Sequence, residues 1–388
     1  MPTLGVNAVA VNRSTFPCTA LARSCSVHFR SPDFLREVAT RVTTVGIFQE
    51  GTSAVATVLD GGGPSGAPPK PRQIVQIRTR ADRVFRGLAT GASSSTLILL
   101  FLIGLFLLIK ALPALKCAGL NFLTTSEWNP PDRGTCETFG VAALMYWTVV
   151  IAVIAMVIAV PVSIAAALFI TEYAPRWIRR PLTSLIDLLA AVPSLLYGMW
   201  GAGFLAARTV GITEWLANHL GFIPFFKPTN AYPIYGPSAF VAGLVVSLMV
   251  VPIVTSVIRE VFSQVPPGEK EGALALGGTR WGMIRAVVLP FGRGGIIGGS
   301  MLGLGRALGE TIAILLIISQ IYYIRASFIE AGANSIAAHI ANAFGEANGV
   351  ALSALLAAGL VLFGVTLLVN VGAAAIINRS RSGAGVEI

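Results

Sequence analysis

An arginine and a glutamate stand four residues apart in GLGRALGETIAILLII, residues 303–318, a stretch otherwise apolar enough to cross a lipid bilayer. A charged group at the centre of a membrane-spanning helix costs about 2.5 to 3.5 kcal/mol on insertion scales, so such residues usually form pairs or mark the route of an ion or substrate. Arg306 has the fork of N–H donors that binds oxyanions in a bidentate manner, with Glu310 close by in the chain. The two residues indicate a substrate pathway, or alternatively an ion pair that only holds helices together.

Three glycines precede these charges at a helical spacing. Gly295, Gly299 and Gly303 recur every four residues, and a row of small residues lets the backbone of a neighbouring helix approach closely. At about 100° per residue, Arg306 and Glu310 continue the glycine face of one helix. We therefore expect helix packing along the glycines, and we expect both charges to point at a partner helix or a water-filled pathway and away from lipid.

The composition places these charges in a membrane protein. Hydrophobic residues make up 54% of the 388 residues and charged residues only 12%, which is far from the usage of soluble globular proteins. An apolar run of about 20 residues spans the hydrocarbon core as a helix. Six can be drawn, near 93–113, 141–171, 183–207, 238–258, 290–320 and 350–377. We predict an all-α integral membrane protein with six transmembrane helices.

Lysine and arginine are distributed unevenly among the loops. They cluster in 70–86, 176–180, 259–293 and 379–381, whereas the alternate loops hold few. Short loops rich in these residues stay cytoplasmic, so both termini are predicted on the cytoplasmic side of the cell membrane. The net charge of +10 is then mainly a topology signal and requires no nucleic-acid partner. The predicted organisation is a basic cytoplasmic segment at 70–92, a transmembrane domain at 93–378 and a cytoplasmic tail at 379–388.

Residues 1–69 differ from the rest of the chain. They hold scattered arginines and the stretch GGGPSGAPPKP at 61–71, without the apolar core that a signal peptide needs. We interpret 1–69 as a disordered tail or an over-extended gene start. A regulatory or targeting extension is the alternative.

Three further residues leave alternatives open. Cys117 and Cys136 both fall in the predicted outer loop between the first two spans, where they form a disulfide in an oxidising compartment or remain two free thiols. Asp187 is another carboxylate within a predicted span. It either pairs with an arginine of the bundle or lies near the membrane interface.

The sequence contains no constellation typical of an enzyme. His28, His219 and His339 are far apart and lack the spacing of metal ligands. No G-x-x-x-x-G-K-[ST] phosphate loop is present. We therefore expect no catalytic residue, no metal and no cofactor in this chain, and if ATP drives the protein, another chain must bind it.

The loop between the fourth and fifth predicted spans, residues 259–290, has the character of a docking element. Pro266 and Pro267 break the chain, EKEGALAL favours a short helix, and Gly277 and Gly278 stop it. TRWGMIRAVVLP then begins a second, basic helix. A short helix, a glycine break and a basic helix fit docking to a partner, and a helix lying on lipid headgroups is the alternative.

This loop resembles the EAA loop of ABC importer permeases. The resemblance is carried by Glu271, Ala273, Gly277, Leu289 and Pro290 at the family's spacing, with Gly272 and Val287 in place of the usual alanine and isoleucine. It implies that these residues, Gly272 included, form a coupling helix that fits a cleft on an ATPase subunit. The ATP would then be used by that partner.

Two other stretches resemble the phosphate permease subunits of such importers, specifically the PstC family. They are ITEYAPRWIRRPLTSLIDLLAAVPSLLYGMWG at 170–201 and MLGLGRALGETIAILLIIS at 301–319. The resemblance covers about residues 80–380 and implies a type I importer fold. It also implies partners: a second permease subunit of PstA type, an ATPase dimer, an extracytoplasmic phosphate-binding protein and the surrounding membrane lipid.

Two other functions remain open from the sequence. The same architecture could carry sulfate, molybdate or another oxyanion, because much of the selectivity resides in a binding protein. A secondary transporter or channel that uses Arg306 and Glu310 as an ion relay would need no ATP. That class predicts inverted repeats, and no convincing internal repeat is found.

Overall fold

The computed structural model describes residues 80–130 and 139–381, with side chains as far as residue 375. The predicted extension 1–69, the start of the basic segment 70–92, most of the tail 379–388 and Cys136 lie outside the described residues. In chain order the helices are α1 (Arg80–Ala118), α2 (Ala142–Leu168), α3 (Arg176–Ala190), α4 (Ser194–Trp200), α5 (Ala206–Leu220), α6 (Ala239–Ser263), α7 (Pro267–Ala275), α8 (Arg280–Met283), α9 (Leu289–Leu308), α10 (Ile312–Ile317), α11 (Ile336–Ala343) and α12 (Gly349–Arg381). A 3-10 turn (Gly119–Leu123) follows α1, and π-helical turns (Phe169–Tyr173, Gly201–Leu205 and Ile284–Val288) follow α2, α4 and α8.

As many as six stretches of the described chain are long and apolar enough to cross a membrane. Five are continuous, namely Arg80–Leu123, Ala142–Tyr173, Ala239–Ser263, Arg280–Leu308 and Gly349–Ala375. The sixth is the pair formed by α3 and the helix Ser194–Leu220, which meet at an angle of 86°. The predicted all-α membrane fold is confirmed, with five continuous spans in the described chain and a sixth if the bent pair counts as one span.

The third span, predicted near 183–207, is not one continuous helix in the structure but is bent between α3 and α4. Pro193 lies at the break, and a proline disfavours helical geometry in the residue before it. The Tyr197 hydroxyl donates to the Leu189 carbonyl across the break at 3.2 Å. α3 itself has polar residues on one face and apolar residues on the other, so it suits a membrane surface better than a bilayer interior.

The centre of the bundle consists of α2, α6 and α9. Ser238 begins α6, since its Oγ accepts the Val241 N–H at 3.4 Å. Gly243 of α6 lies so close to α2 that an added Cβ would stand 2.5 Å from Ile154 Cγ2. In a bilayer, helices associate through such close van der Waals packing because lipid tails are as apolar as leucine.

α1 and α12 form a second layer of the bundle. Gly104 of α1 faces Phe363 of α12, and the Ser353 Oγ donates to the Lys110 carbonyl at 2.6 Å. Near the end of α1, Cys117 is disulfide-bonded. Its expected partner, Cys136, lies outside the described residues.

The segment between α10 and α11 crosses one end of the bundle, which we call the far end; the opposite end carries α7. In this segment Arg325 and Glu330 are both buried and form an ion pair with an N–O distance of 3.3 Å. The Glu330 carboxylate also accepts the backbone N–H groups of Thr229 and Asn230 at 2.8 and 3.1 Å. These contacts tie the segment to the loop before α6.

Candidate functional site

Helix α9 ends at Leu308, so the prediction of one helix through 290–320 is wrong. Gly309 is the last residue to bond back into the helix, through its N–H to the Gly305 carbonyl at 3.3 Å. Glu310 and Thr311 are not helical, and α10 begins at Ile312. Glycine has a low helix propensity, which weakens the helix at this position.

The Glu310 carboxylate stabilises the break. Its Oε1 accepts the Ala313 N–H at 3.4 Å, which satisfies one of the free donors in the first turn of α10. The Thr311 hydroxyl donates to the Gly309 carbonyl at 3.1 Å. Glu310 is buried, with 7% of its surface exposed.

The neighbouring α4 packs tightly against α10 beside this break. A Cβ on Gly198 would lie 2.8 Å from Ala313 Cα, and one on Gly201 would lie 2.9 Å from Ile317 Cδ1. At Gly198 a side chain would meet the backbone of α10, so glycine allows the close approach of the two short helices. The bend after α3 and the break after α9 therefore meet within the bundle.

Arg306 lies in the last turn of α9, where a cation is favoured by the helix dipole. Its side chain is exposed on the surface of this chain. Within the described residues no ion pair joins it to Glu310, and the expected common face of one helix does not exist. The two charges instead have different surroundings, because one faces outward and the other is enclosed.

The glycine row locates Arg306 along the bundle. Gly295 lies against Val261, Gly299 against Val254 and Ile258, and Gly303 against Val250 and Val254 of α6. Val250 and Val254 are near the middle of α6, and Arg306 follows Gly303 by less than one turn. Arg306 is thus an exposed cation near half the length of a membrane-spanning bundle.

Tyr197 is a residue at the bend that the sequence prediction missed. Its hydroxyl donates to the Leu189 carbonyl at 3.2 Å and so stabilises the bend between α3 and α4. Pro193 was the available signal, because it predicts a helix boundary shortly before Tyr197.

The second group of predicted site residues forms an exposed face at the α7 end. Pro267 begins α7 at a position that favours proline, and Gly277, with φ of +84°, follows its end in a conformation that favours glycine. Glu271 and Gly272 are exposed, and Ala273 packs partly against the core. The structure therefore brings the predicted loop residues into one short helix and its glycine stop.

Apolar side chains accompany this face. Leu276 is 92% exposed, and Trp281 of α8 is 57% exposed. Leu289 and Pro290 start α9, where proline is again at an N-terminal position. Exposed large apolar groups beside a projecting helix are typical of a surface that a partner covers.

Two ion pairs connect the α7 end to earlier helices. Lys270 Nζ of α7 lies 2.6 Å from Glu172 Oε1, just beyond α2. Arg259 of α6 lies 4.0 Å from Asp187 of α3, whose side chain is half exposed. Asp187 therefore pairs with an arginine, through a long and partly solvated contact.

The chain matches a known family and similar proteins. Residues 159–382 match the family described as "Binding-protein-dependent transport system inner membrane component". "Phosphate transport system permease protein PstC 2" of Mycobacterium tuberculosis is 41% identical over 78% of this chain and 94% of that protein. The PstC permease protein of Xylella fastidiosa is 44% identical over 75% of this chain and 89% of that protein. A solved bacterial ABC transporter involved in import of the acidic polysaccharide alginate has a TM-score of 0.48 at 18% identity, covering 76% of this chain and 99% of that chain. The family match spans α7, α9 and the break at Gly309.

Proposed function

The chain belongs to the family of binding-protein-dependent transport system inner membrane components, and we propose that it is the permease subunit of an ATP-driven importer of inorganic phosphate. Phosphate is assigned as the substrate because the chain is more than 40% identical, over about three quarters of its length, to phosphate transport permease proteins. Sulfate or molybdate import by the same architecture is the second candidate, because Arg306 offers its N–H donors equally to other oxyanions and a binding protein would then select the cargo.

Arg306 is the residue that we assign to the phosphate pathway. An exposed cation at the middle of a spanning bundle is unfavourable in contact with lipid, so a second permease subunit or a water-filled route must cover it. The guanidinium presents parallel N–H donors that match phosphate oxygens. Phosphate would thus pass Arg306 at the interface between the two permeases.

Glu310 has a different role from the one that its spacing suggested. In this structure its carboxylate caps α10 and does not hold Arg306. We assign it the task of fixing the helix break that ends α9 and so of setting where Arg306 is presented. Its negative charge close to the pathway also disfavours prolonged retention of a doubly charged anion.

The face around α7 is the site that we assign to the ATPase partner. It comprises Glu271, Gly272, Ala273 and Gly277, with Leu289 and Pro290 at the base of α9. No side chain of α7 is fully buried, and apolar groups next to it are exposed. Closure of an ATPase dimer against this helix would move the spanning helices and alternate the access of the pathway.

Assigning the α7 face to the ATPase fixes the orientation of the chain in the membrane and the side on which each other partner binds. The α7 end and both chain termini lie in the cytoplasm, in agreement with the concentration of lysine and arginine there. The far end then faces outward, where an extracytoplasmic phosphate-binding protein delivers its anion. The complex holds this chain, a PstA-like permease and two ATPase subunits, and ATP is used only by the latter.

ATP hydrolysis by the purified complex tests which anion is the transported substrate. The complex is placed in lipid nanodiscs and supplied with its binding protein and phosphate, sulfate or molybdate in turn. We expect hydrolysis to rise with phosphate and to remain basal with the other two anions. A rise with sulfate or molybdate alone would retain the architecture and overturn the phosphate assignment.

A further inference from the structure

Helix α7 is attached to the end of α2 by one short ion pair. Lys270 Nζ and Glu172 Oε1 are 2.6 Å apart, and the two side chains are only 22% and 9% exposed. Glu172 belongs to the π-helical turn Phe169–Tyr173 that continues α2. Removal of either charge would leave the other poorly solvated and unpaired, which is destabilising.

The other attachments of α7 are sparse. None of its residues is fully buried, and Ala273 provides a partial apolar contact with the core. In the described part of the chain, the bond from Lys270 is the one side-chain hydrogen bond that α7 makes to another helix. Without it, α7 would be held mainly by its chain connections to α6 and α8.

The opposite end of α2 is bonded to the far-end segment between α10 and α11. The Tyr146 hydroxyl donates to the Arg325 carbonyl at 2.9 Å, and Trp147 Nε1 donates to the Tyr323 carbonyl at 3.1 Å. The Thr148 hydroxyl accepts the Ile336 N–H at 3.0 Å. One helix therefore makes polar contacts with α7 at one end and with the far-end segment at the other.

We infer that α2 is a strut that transmits movement between α7 and the far-end segment, and that Lys270 and Glu172 are the positioning residues that join α7 to it. The inference rests on the proposed function, since it takes α7 as the ATPase-docking helix. With its π-helical turn, α2 runs from Ala142 to Tyr173, about 48 Å at 1.5 Å per residue, which is long enough to cross the bilayer. Movement of α7 then reaches the far end through α2 as well as through α6.

Charge reversal tests the joint. The variants are Glu172→Lys, Lys270→Glu and the double swap, with Glu172→Gln as a milder change that preserves the shape of the side chain. Asp187→Asn is the matched control, because its pair with Arg259 is longer and Asp187 is half exposed. Each variant is purified with its partner subunits, and co-purification of the ATPase reports assembly.

The readout is movement at the far end on ATP binding. A spin label is placed on Tyr232→Cys, whose side chain is 92% exposed, after Cys18 and Cys25 are replaced by serine. ATP with vanadate should change the label's spectrum in the otherwise wild-type complex. We expect the equilibrium constant for that change to fall about tenfold in each single reversal, less in Glu172→Gln, and to return to within about twofold in the double swap. Asp187→Asn should match the wild type.

Two results would overturn the inference. One is a wild-type response in Glu172→Gln and in the single reversals that assemble. The other is a double swap no better than the single reversals, because the loss would then not come from the pair. This readout needs no phosphate. A complex that moves with ATP but does not respond to phosphate would therefore reject phosphate as the cargo, and the inferred role of α2 would still stand.

Discussion

At the residue scale, Arg306 and Glu310 have different surroundings, although their spacing in the sequence placed both on one helix face. Arg306 is exposed at the middle of the bundle, whereas Glu310 is buried and bonded to the backbone of α10. A buried carboxylate that caps a helix fixes the backbone around it. The exposed guanidinium remains available for an anion or a partner subunit.

Replacement of Arg306 tests its role in the pathway. Arg306→Gln should lower phosphate uptake by the assembled complex roughly tenfold to a hundredfold, because hydrogen bonds to a charged group are worth about 1.5 to 3 kcal/mol. Arg306→Lys should lie between, since it keeps the charge and loses the bidentate fork. Arg293→Gln is the matched control, an exposed arginine at the other end of α9. Initial rates of labelled uptake provide the measurement.

Replacement of Glu310 separates its capping role from its charge. Glu310→Ala removes the acceptor of the Ala313 N–H and should lower the stability of the chain by about 1 kcal/mol. Glu310→Gln keeps an acceptor, so it should leave thermal stability close to wild type while changing uptake. Melting temperature and uptake rate are measured on the same preparations. Unchanged uptake in both Arg306→Gln and Glu310→Gln complexes that assemble would reject the pathway.

His339 of α11 should make stability depend on pH. Burial lowers the pKa of its imidazole from 6.5 to about 4, and its Nδ1 lies 3.3 Å from the Tyr322 hydroxyl. Between those pH values the unfolded chain binds more protons than the folded chain, so the free energy of unfolding falls as pH falls from 6.5 toward 4. The full effect is about 3 kcal/mol.

Melting temperatures at pH 7 and pH 5 check the role of His339. The loss of stability at pH 5 should be smaller in His339→Gln than in the wild type, because the other titrating groups are common to both proteins. His219→Gln is the control, since His219 is exposed and stacks on Trp215. Equal losses in the wild type and His339→Gln would show that the imidazole is not held neutral.

At the scale of elements, the glycine row of α9 determines how closely α6 and α9 pack. A Cβ on Gly295 would lie 2.5 and 2.6 Å from two atoms of Val261, whereas one on Gly294 would meet nothing within 4 Å. Gly295→Ala should therefore destabilise the chain by about 1 to 3 kcal/mol through overpacking. Gly294→Ala, the adjacent control, should be neutral or slightly stabilising. Thermal unfolding in detergent distinguishes the two, and equal melting temperatures would contradict the close approach.

Hydrophobic runs and glycine stops were sufficient to predict most of these elements. The spans and the short helix α7 are encoded locally, by apolar length and by Pro267 and Gly277. The break at Gly309 was missed because the apolar run continues on both sides of it, so hydropathy shows no helix end there. That break is stabilised by the packing of Gly198 on Ala313, two residues far apart in the chain. Pro193 does indicate a helix boundary, but the prediction followed the apolar run through 183–207 and placed one span there.

At the scale of the whole molecule, the two candidate sites lie at different depths of one bundle. The α7 face is at one end, Arg306 is near the middle, and the buried pair of Arg325 and Glu330 is at the far end. Helices α2 and α6 run through all three levels. On the proposed function, closure of the ATPase partner against the α7 face would change access to the cation in the middle.

The most direct test of that function is uptake of labelled phosphate into proteoliposomes that hold this chain with its partner permease and ATPase. ATP is enclosed within the vesicles, and the phosphate-binding protein is added outside. We predict uptake that requires both ATP and the binding protein and that excess sulfate or molybdate does not reduce. Uptake that proceeds equally without ATP would contradict the assignment as an ATP-driven importer.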